Sequence, residues 1–404
     1  MTELNLSAIG DVADDIAEIV RLVKEFQAAN NVTVHVARLP WERAWQTLLM
    51  TAMEGKGGDV SQMGSTWAPT LAALDSLRWF SEAEIRTLGG PLAFVPAAWQ
   101  TVRVEGRSEV WAIPWSVYTF VIFYRRDLLK KAGVDEAAAF ATPEFMRETF
   151  QTLQNTGITP WAIPTTTHYF DLPHIASSWV RAYGGDFISA DGKKELFNSP
   201  HARQGLVEFF SLYRFLPARF RGLTYEACLD EFFAKGNTAV MIAGAESCSD
   251  ALEEDGIPEE FRDQIGVAAI PGVPWIGGDH LVTWRSVRLD PEKERAAVAL
   301  VESLSSAKNQ VRLYRENTIL PARLDAYADL DFQPEGMRPI LERILQVGRP
   351  HPPTRLWRRI ESMLVDMLGD IARSVLDFQT QDVADIVEAK LADYEKRFTL
   401  ILGG

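Results

Sequence analysis

Cysteine is nearly missing from this chain: Cys228 and Cys248 are the only two among 404 residues. Two thiols cannot complete a structural zinc site, and no histidine pair stands beside them at ligand spacing. Around them the sequence reads as a helix over Tyr225–Lys235, a strand over Thr238–Ala243 and then a turn. That order brings both thiols to one end of a domain, where a disulfide and two free buried thiols are equally open. No window approaches eighteen uninterrupted apolar residues, which excludes a transmembrane helix. Enzyme signatures are also lacking. There is no G-x-x-x-x-G-K-[ST] loop, no H-E-x-x-H and no G-x-S-x-G; Gly55-Lys56-Gly57-Gly58 has the wrong spacing and reads as a turn. Among the 6 histidines, His168 and His174 are too far apart for one helical face. The carboxylate pairs Glu253-Glu254 and Glu259-Glu260 lie in polar stretches and read as solvated faces. A glycosidase needs two carboxylates facing one bond, which sequence spacing does not test. Basic charge is in deficit: 41 Lys and Arg against 55 Asp and Glu give a net charge of −14. That argues against nucleic acid or an anionic membrane surface as the main partner. The opening MTELNLSAIG shows no basic segment followed by an apolar one, so a secretory leader is absent from this chain. Either the protein is cytoplasmic, or its leader has been removed.

What is present describes a folded globular chain. It is too long for one core, so two domains are expected. The composition, 47% apolar and 24% charged, is that of an ordinary soluble protein. Strands and helices alternate, the pattern of α/β lobes with largely parallel sheets. Leu4–Ile9 reads as a strand. Ile16, Ile19, Val20, Val23 and Phe26 form the apolar stripe of a helix over 14–27, and Val32, Val34 and Val36 alternate as the next strand. A helix over 44–54 follows, then a strand from Val60. Thr142-Pro143, Ser199-Pro200 and Asp290-Pro291 each place a capping side chain before a proline at the first helical position. Gly133, Gly157 and Gly184 close helices. From Pro339 to Leu402 the pattern is helical almost throughout.

Twelve tryptophans stand out. An indole offers a flat apolar face and one N–H donor, which suits a pyranose ring. Trp45, Trp79, Trp99, Trp161 and Trp284 lie inside periodic segments and are expected in the core. Trp41 and Glu42 follow one strand, and Thr66 and Trp67 follow another, where α/β folds present ligand-facing loops. Asp11 follows the first strand, either as a cap for free backbone N–H groups or as an acceptor for ligand hydroxyls.

Four blocks carry a resemblance. EVWAIPWSVYTFVIFYRRDLLKKAGV (109–134) runs from a short strand through Pro114 and Tyr118 into a second strand and a helix. GGDVSQMGSTWAPTLAALDSL holds Thr66 and Trp67, with Gly58 where proline is usual. FFAKGNTAVMIAGAESCSDAL keeps Phe233, Gly236, Ala239, Met241 and Gly244 of a common pattern but has Glu246 where tryptophan often stands. IPGVPWIGGDHLVTW carries a glycine pair. Together they resemble the family-1 extracellular solute-binding proteins, the maltose-binding-protein-like receptors of ABC importers.

That resemblance implies a two-lobed periplasmic-binding-protein-like fold of type II, α/β in class, each lobe a mostly parallel sheet flanked by helices. It divides the chain into 1–114 plus 275–325 and 115–270 plus 330–404, with hinge crossings near 113–118, 270–275 and 320–331. It implies a monomeric receptor without cofactor or metal, working outside the cytoplasmic membrane as a periplasmic protein or lipoprotein. Such a receptor would capture a mono- or oligosaccharide by hinge closure and deliver it to permease subunits. It also implies ligand contacts at Trp115 and Tyr118, at Tyr169 and Asp171 in the loop TTTHYFD, at Glu246, and at Trp275, Gly278, Asp279 and His280. Arg355 and Trp357 in RPHPPTRLWRRI are further contacts, unless those arginines form a basic patch for the transporter. The main stacking face is expected from Trp67, with the fold indifferent to its loss. A phosphorylated or anionic solute paired with Arg355 or Arg349 stays open, as does a two-lobed carbohydrate-active enzyme.

Overall fold

A computed structural model describes residues 2–55, 58–253, 256–285 and 290–402. The glycine turn at 55–58 and the Glu253-Glu254 pair fall partly outside the described residues. The strands are β1 (Thr2–Ile9), β2 (Val32–Leu39), β3 (Val60–Gly64), β4 (Leu77–Arg78), β5 (Ile113–Pro114), β6 (Phe120–Arg125), β7 (Trp161–Ala162), β8 (Val240–Gly244), β9 (Ile265–Ala269) and β10 (Asp279–Trp284). The chain divides into two compact units. Unit 1 holds Met1–Tyr118, Ile276–Leu330 and Pro350–Arg358; unit 2 holds Thr119–Trp275, Asp331–Arg349 and Arg359–Gly404.

The sheet of unit 1 runs β2-β1-β3-β10-β4, with β5 also on β10. β1 pairs in parallel with β2 and β3, while β10 runs antiparallel to β3, β4 and β5. The sheet of unit 2 runs β7-β8-β6-β9, antiparallel except for β7 with β8. The α/β architecture stands, but the expectation of mostly parallel sheets is corrected to mixed ones. A strand that re-enters a unit after an excursion needs no helical crossover, so β10 joins the sheet of unit 1 in the reverse direction.

Local chemistry sets the helices. Ile19, Leu22, Val23 and Phe26 bury one face of the helix Ala17–Asn30. Thr142, Ser199 and Asp290 each accept a hydrogen bond from the backbone N–H three residues on, beside a proline at the first helical turn. In unit 2, Trp161 and Trp179 are completely buried. Trp79 departs from its expected place in the core, being 51% exposed.

Cys228 and Cys248 are free and buried, and burial pushes the Cys248 thiol up to about 12 and Cys228 higher still. Segments 115–118 and 350–358, assigned from the sequence to the second lobe, pack with unit 1. The N–H groups of Trp115 and Ser116 bond the carbonyl of Asp279 at 2.9 and 3.1 Å. The Thr70 hydroxyl donates to the carbonyl of Arg355 at 2.9 Å.

Candidate functional site

In unit 1 the parallel strands β1, β2 and β3 end on one side of the sheet, and antiparallel β10 begins there, Asp279 lying opposite Gly64. Asp11, Trp41, Glu42, Thr66, Trp67 and Asp279 therefore share that side. Asp11 is exposed, and its Oδ1 accepts the backbone N–H of Trp41 at 3.0 Å. It thus caps the helix Trp41–Glu54, whose preceding residue, Pro40, has no side-chain acceptor. The chain just after Asp11 is closed instead by Asp15, whose Oδ2 accepts from Asp11 and Val12 at 2.6 and 2.9 Å.

The three indoles divide their labour. Trp67 is 7% exposed, with Trp41 and Trp45 packed edge-on at centroid distances of 5.8 and 5.7 Å. Trp41 stays 45% exposed. The stacking face expected from Trp67 is thus spent inside the unit, and Trp41 is the ring that keeps a free surface.

Gln62 was not anticipated from the sequence. It is 5% exposed, its Oε1 accepts from Ile9 N–H and its Nε2 donates to Asp279 Oδ2, both at 2.8 Å. The only available signal was an amide in the otherwise buried strand β3, a position where a polar group must be paired. Asp279 is half-buried, and burial raises its carboxyl to about 6, the Gln62 bond opposing the rise. Its N–H donates to Ser116 Oγ at 3.0 Å.

In unit 2, β7, β8 and β9 likewise end on one side, where β6 begins. The loop after β7 carries Tyr169 and Asp171, the turn after β8 carries Glu246, and the segment after β9 leads to Trp275. The loop is anchored: Thr165 N–H donates to the Leu223 carbonyl and Leu223 N–H to Thr165 Oγ1, each at 2.9 Å. Tyr169 is 7% exposed, and its phenol is held well above the usual range by burial and then by the Asp171 charge. Asp171 is half-buried at the N-cap of the helix Leu172–Ala182 without capping it, and burial raises its carboxyl to about 7. Tyr225, also unanticipated, begins a helix capped by Thr224. Its hydroxyl meets Ser247 Oγ at 2.9 Å and the Gly244 N–H at 3.4 Å, and the charges of Glu246 and Asp171 both act on it. Glu246 is half-buried and folds back over Gly244, where any side chain would meet its carboxylate.

Other expected contacts are placed as structure. Trp275 is 7% exposed and stacks on His174 at 3.9 Å and 8°. Burial and then Arg181 hold that imidazole down to about 3, so it is neutral. His280 is fully buried with its Nε2 2.8 Å from Thr101 Oγ1, because alternation along β10 turns it away from the face of Asp279. Trp115 is buried and donates its indole N–H to the Leu304 carbonyl at 3.1 Å. Trp357 is buried against His351, rings 4.1 Å apart. Gly278 has φ +130°, and a Cβ there would lie 2.2 Å from the Ser116 carbonyl oxygen. Its close approach is to the chain itself. Tyr118 is half-buried and exchanges backbone hydrogen bonds with Gly277 at 3.0 and 2.9 Å. Thr66 is half-buried; Glu42 and Arg355 are exposed. Among the described residues no cluster of His, Cys, Asp and Glu could hold a metal, and no helix is long and apolar enough to cross a membrane.

Comparisons with known proteins bear on what such residues serve. A probable ABC transporter-binding protein of Deinococcus radiodurans is 28% identical over 261 residues, covering 59% of this chain and 57% of its own. The sn-glycerol-3-phosphate-binding periplasmic protein UgpB of Brucella melitensis is 22% identical over 227 residues, covering 54% of this chain and 50% of its own. The chain thus spans about half the length of these curated relatives. Over the whole chain the fold is similar to that of the sugar-binding protein MalE from Xanthomonas citri, with a TM-score of 0.83 at 22% identity, covering 100% of this chain and 98% of that one. The profile of the bacterial extracellular solute-binding proteins matches residues 21–338, and the chain belongs to that family.

Proposed function

We propose that this chain is the solute-capturing component of an ABC importer, working outside the cytoplasmic membrane as a monomer, and that its solute is a carbohydrate. One observation carries the reading: in each unit, groups suited to a polyol gather where the strands end. Unit 1 offers the Trp41 indole face with Asp11, Gln62 and Asp279; unit 2 offers Tyr169, Asp171, Tyr225 and Glu246. Indole and phenol rings cover the apolar faces of a sugar, and carboxylate and amide groups take its hydroxyls. The fold shared with the Xanthomonas MalE supports the sugar class. Capture requires no cofactor and no bond breaking. The solute stabilises whichever conformation of the chain it contacts best, by its differential affinity. Delivery to permease subunits follows from the family and from the Deinococcus relative's name.

A second reading, a phosphorylated solute, draws on the Brucella relatives. Thermal-shift and calorimetric screening against sugars and sugar phosphates tests both. A solute at a hundred times its dissociation constant should add about 2.7 kcal/mol of stability. Turnover of a glycoside, or silence across the whole panel, would sink the carbohydrate-receptor proposal.

A further inference from the structure

The chain passes between its two units at five places: 118–119, 275–276, 330–331, 349–350 and 358–359. Three of these begin or end in unit 2 at residues that one cluster holds together. Thr119, the first residue of unit 2, donates its hydroxyl to the Trp275 carbonyl at 2.8 Å, and Trp275 is the last residue before the next crossing. Arg349, the last before another, donates its N–H to the Pro274 carbonyl at 2.9 Å and pairs with Trp275 as a parallel bridge. The helix Leu172–Ala182 closes the cluster with two side chains. His174 lies flat on Trp275, rings 3.9 Å apart at 8°, and Arg181 NH1 donates to the Arg349 carbonyl at 3.0 Å. Seven residues apart, about two turns, they share one face of that helix. The His174 Nε2 stands 3.6 Å from Oε1 of Glu361, just beyond the last return of the chain to unit 2.

Thr119, His174, Arg181 and Glu361 are all buried. A leucine would fill the place of His174 without the cost of burying an imidazole beside a carboxylate. It could not lie flat on the indole, since stacking needs a planar ring. Resting on the receptor reading above but on no particular solute, we propose that the His174–Trp275 stack is the centre of a clamp. The clamp holds the unit 2 ends of three crossings as one block, which makes His174 a positioning residue for solute capture. The three segments then move together or not at all. A solute that favours one conformation of the chain acts on a single equilibrium instead of on three independent segments.

The test is hydrogen–deuterium exchange, read by mass spectrometry on the full chain without any solute. Amide exchange reports local opening segment by segment, so a loosened clamp is separable from a weakened fold. The reporters are the segments 117–121, 274–278 and 347–351, with β8 in the same unit as the control. His174→Leu keeps the bulk and removes the stack; all three segments should exchange at least about tenfold faster, with β8 unchanged. His174→Phe keeps a flat ring on Trp275 and should restore wild-type exchange. Thr119→Val removes only the hydroxyl bond to Trp275 and should speed 117–121 and 274–278 by a comparable factor. Unchanged exchange in His174→Leu or Thr119→Val overturns the clamp. So does a His174→Leu effect missing from any of the three segments, or one that β8 shares equally. Equal loosening by His174→Phe and His174→Leu also overturns it, because the stack is then not the tie. None of these outcomes touches the receptor reading, which the solute screen tests by itself.

Discussion

Trp67 is 7% exposed and wedged between Trp41 and Trp45, whereas Trp41 keeps 45% of its surface in solvent. The two rings should therefore answer truncation in opposite ways. Trp67→Ala opens a cavity in unit 1 and should cost about 3–5 kcal/mol in urea unfolding. Trp41→Ala should cost well under half of that and instead weaken sugar binding by about 1–3 kcal/mol, by analogy with base stacking on aromatic rings. Equal losses of stability in the two variants would show that exposure does not separate their roles. The sequence located both rings correctly after strands but could not say which one the other would cover.

Asp171 makes a second prediction at this scale, through pH. Its folded carboxyl titrates near 7, above the unfolded value near 4, so the native state holds more protons between the two. Stability from this group is complete below about pH 4 and is lost as the pH rises to about 7. Asp171→Asn removes that loss. The variant should match the wild type near pH 4 and exceed it near pH 8, by at most about 4 kcal/mol at roughly 1.4 kcal/mol per pKa unit. Residual exposure and the helix N-terminus beside it reduce that figure. Asp279 shifts in the same direction, so only the difference between variant and wild type is informative. A variant that gains nothing at alkaline pH would show that the carboxylate is not desolvated.

Among the elements, caps and periodicity were the legible part. Thr142-Pro143, Ser199-Pro200 and Asp290-Pro291 start helices as their chemistry requires, because a cap is decided by four or five adjacent residues. Strand direction was not legible. β10 alternates, and that alternation sets Asp279 on the face of Gln62 and sends His280 to Thr101; which face is which depends on the partner strand. Gly278 shows the same dependence. The sequence suggested room for a ligand, but the glycine is required by the Ser116 carbonyl packed against it at φ +130°. Gly278→Ala should destabilise unit 1 by more than about 1 kcal/mol, through steric overlap and a backbone region closed to alanine. The check is the urea midpoint, and an unchanged midpoint would mean that β10 is not fixed at this register.

For the whole molecule, a net charge of −14 gives a salt test of solute class. Binding of a neutral sugar has no net Coulomb term and should change less than about threefold between about 0.01 and 1 M salt. A phosphate would feel the protein's field and respond strongly, so a steep salt dependence would favour the phosphorylated reading. Family and fold class were legible in the sequence, the family through a resemblance carried by short blocks whose residues are neighbours in the chain, the fold class through alternating strand and helix patterns. Tertiary structure alone decided which indole is exposed, that Asp11 caps a helix thirty residues on, and that Gln62 ties Ile9 to Asp279. It alone decided that the Tyr169 hydroxyl is buried without a hydrogen bond among the described residues while Trp115, Trp357 and His280 are consumed by packing. The reason is physical. A residue's chemistry is fixed by its own atoms, but its availability is fixed by burial and by partners that are distant in sequence and adjacent only in the fold.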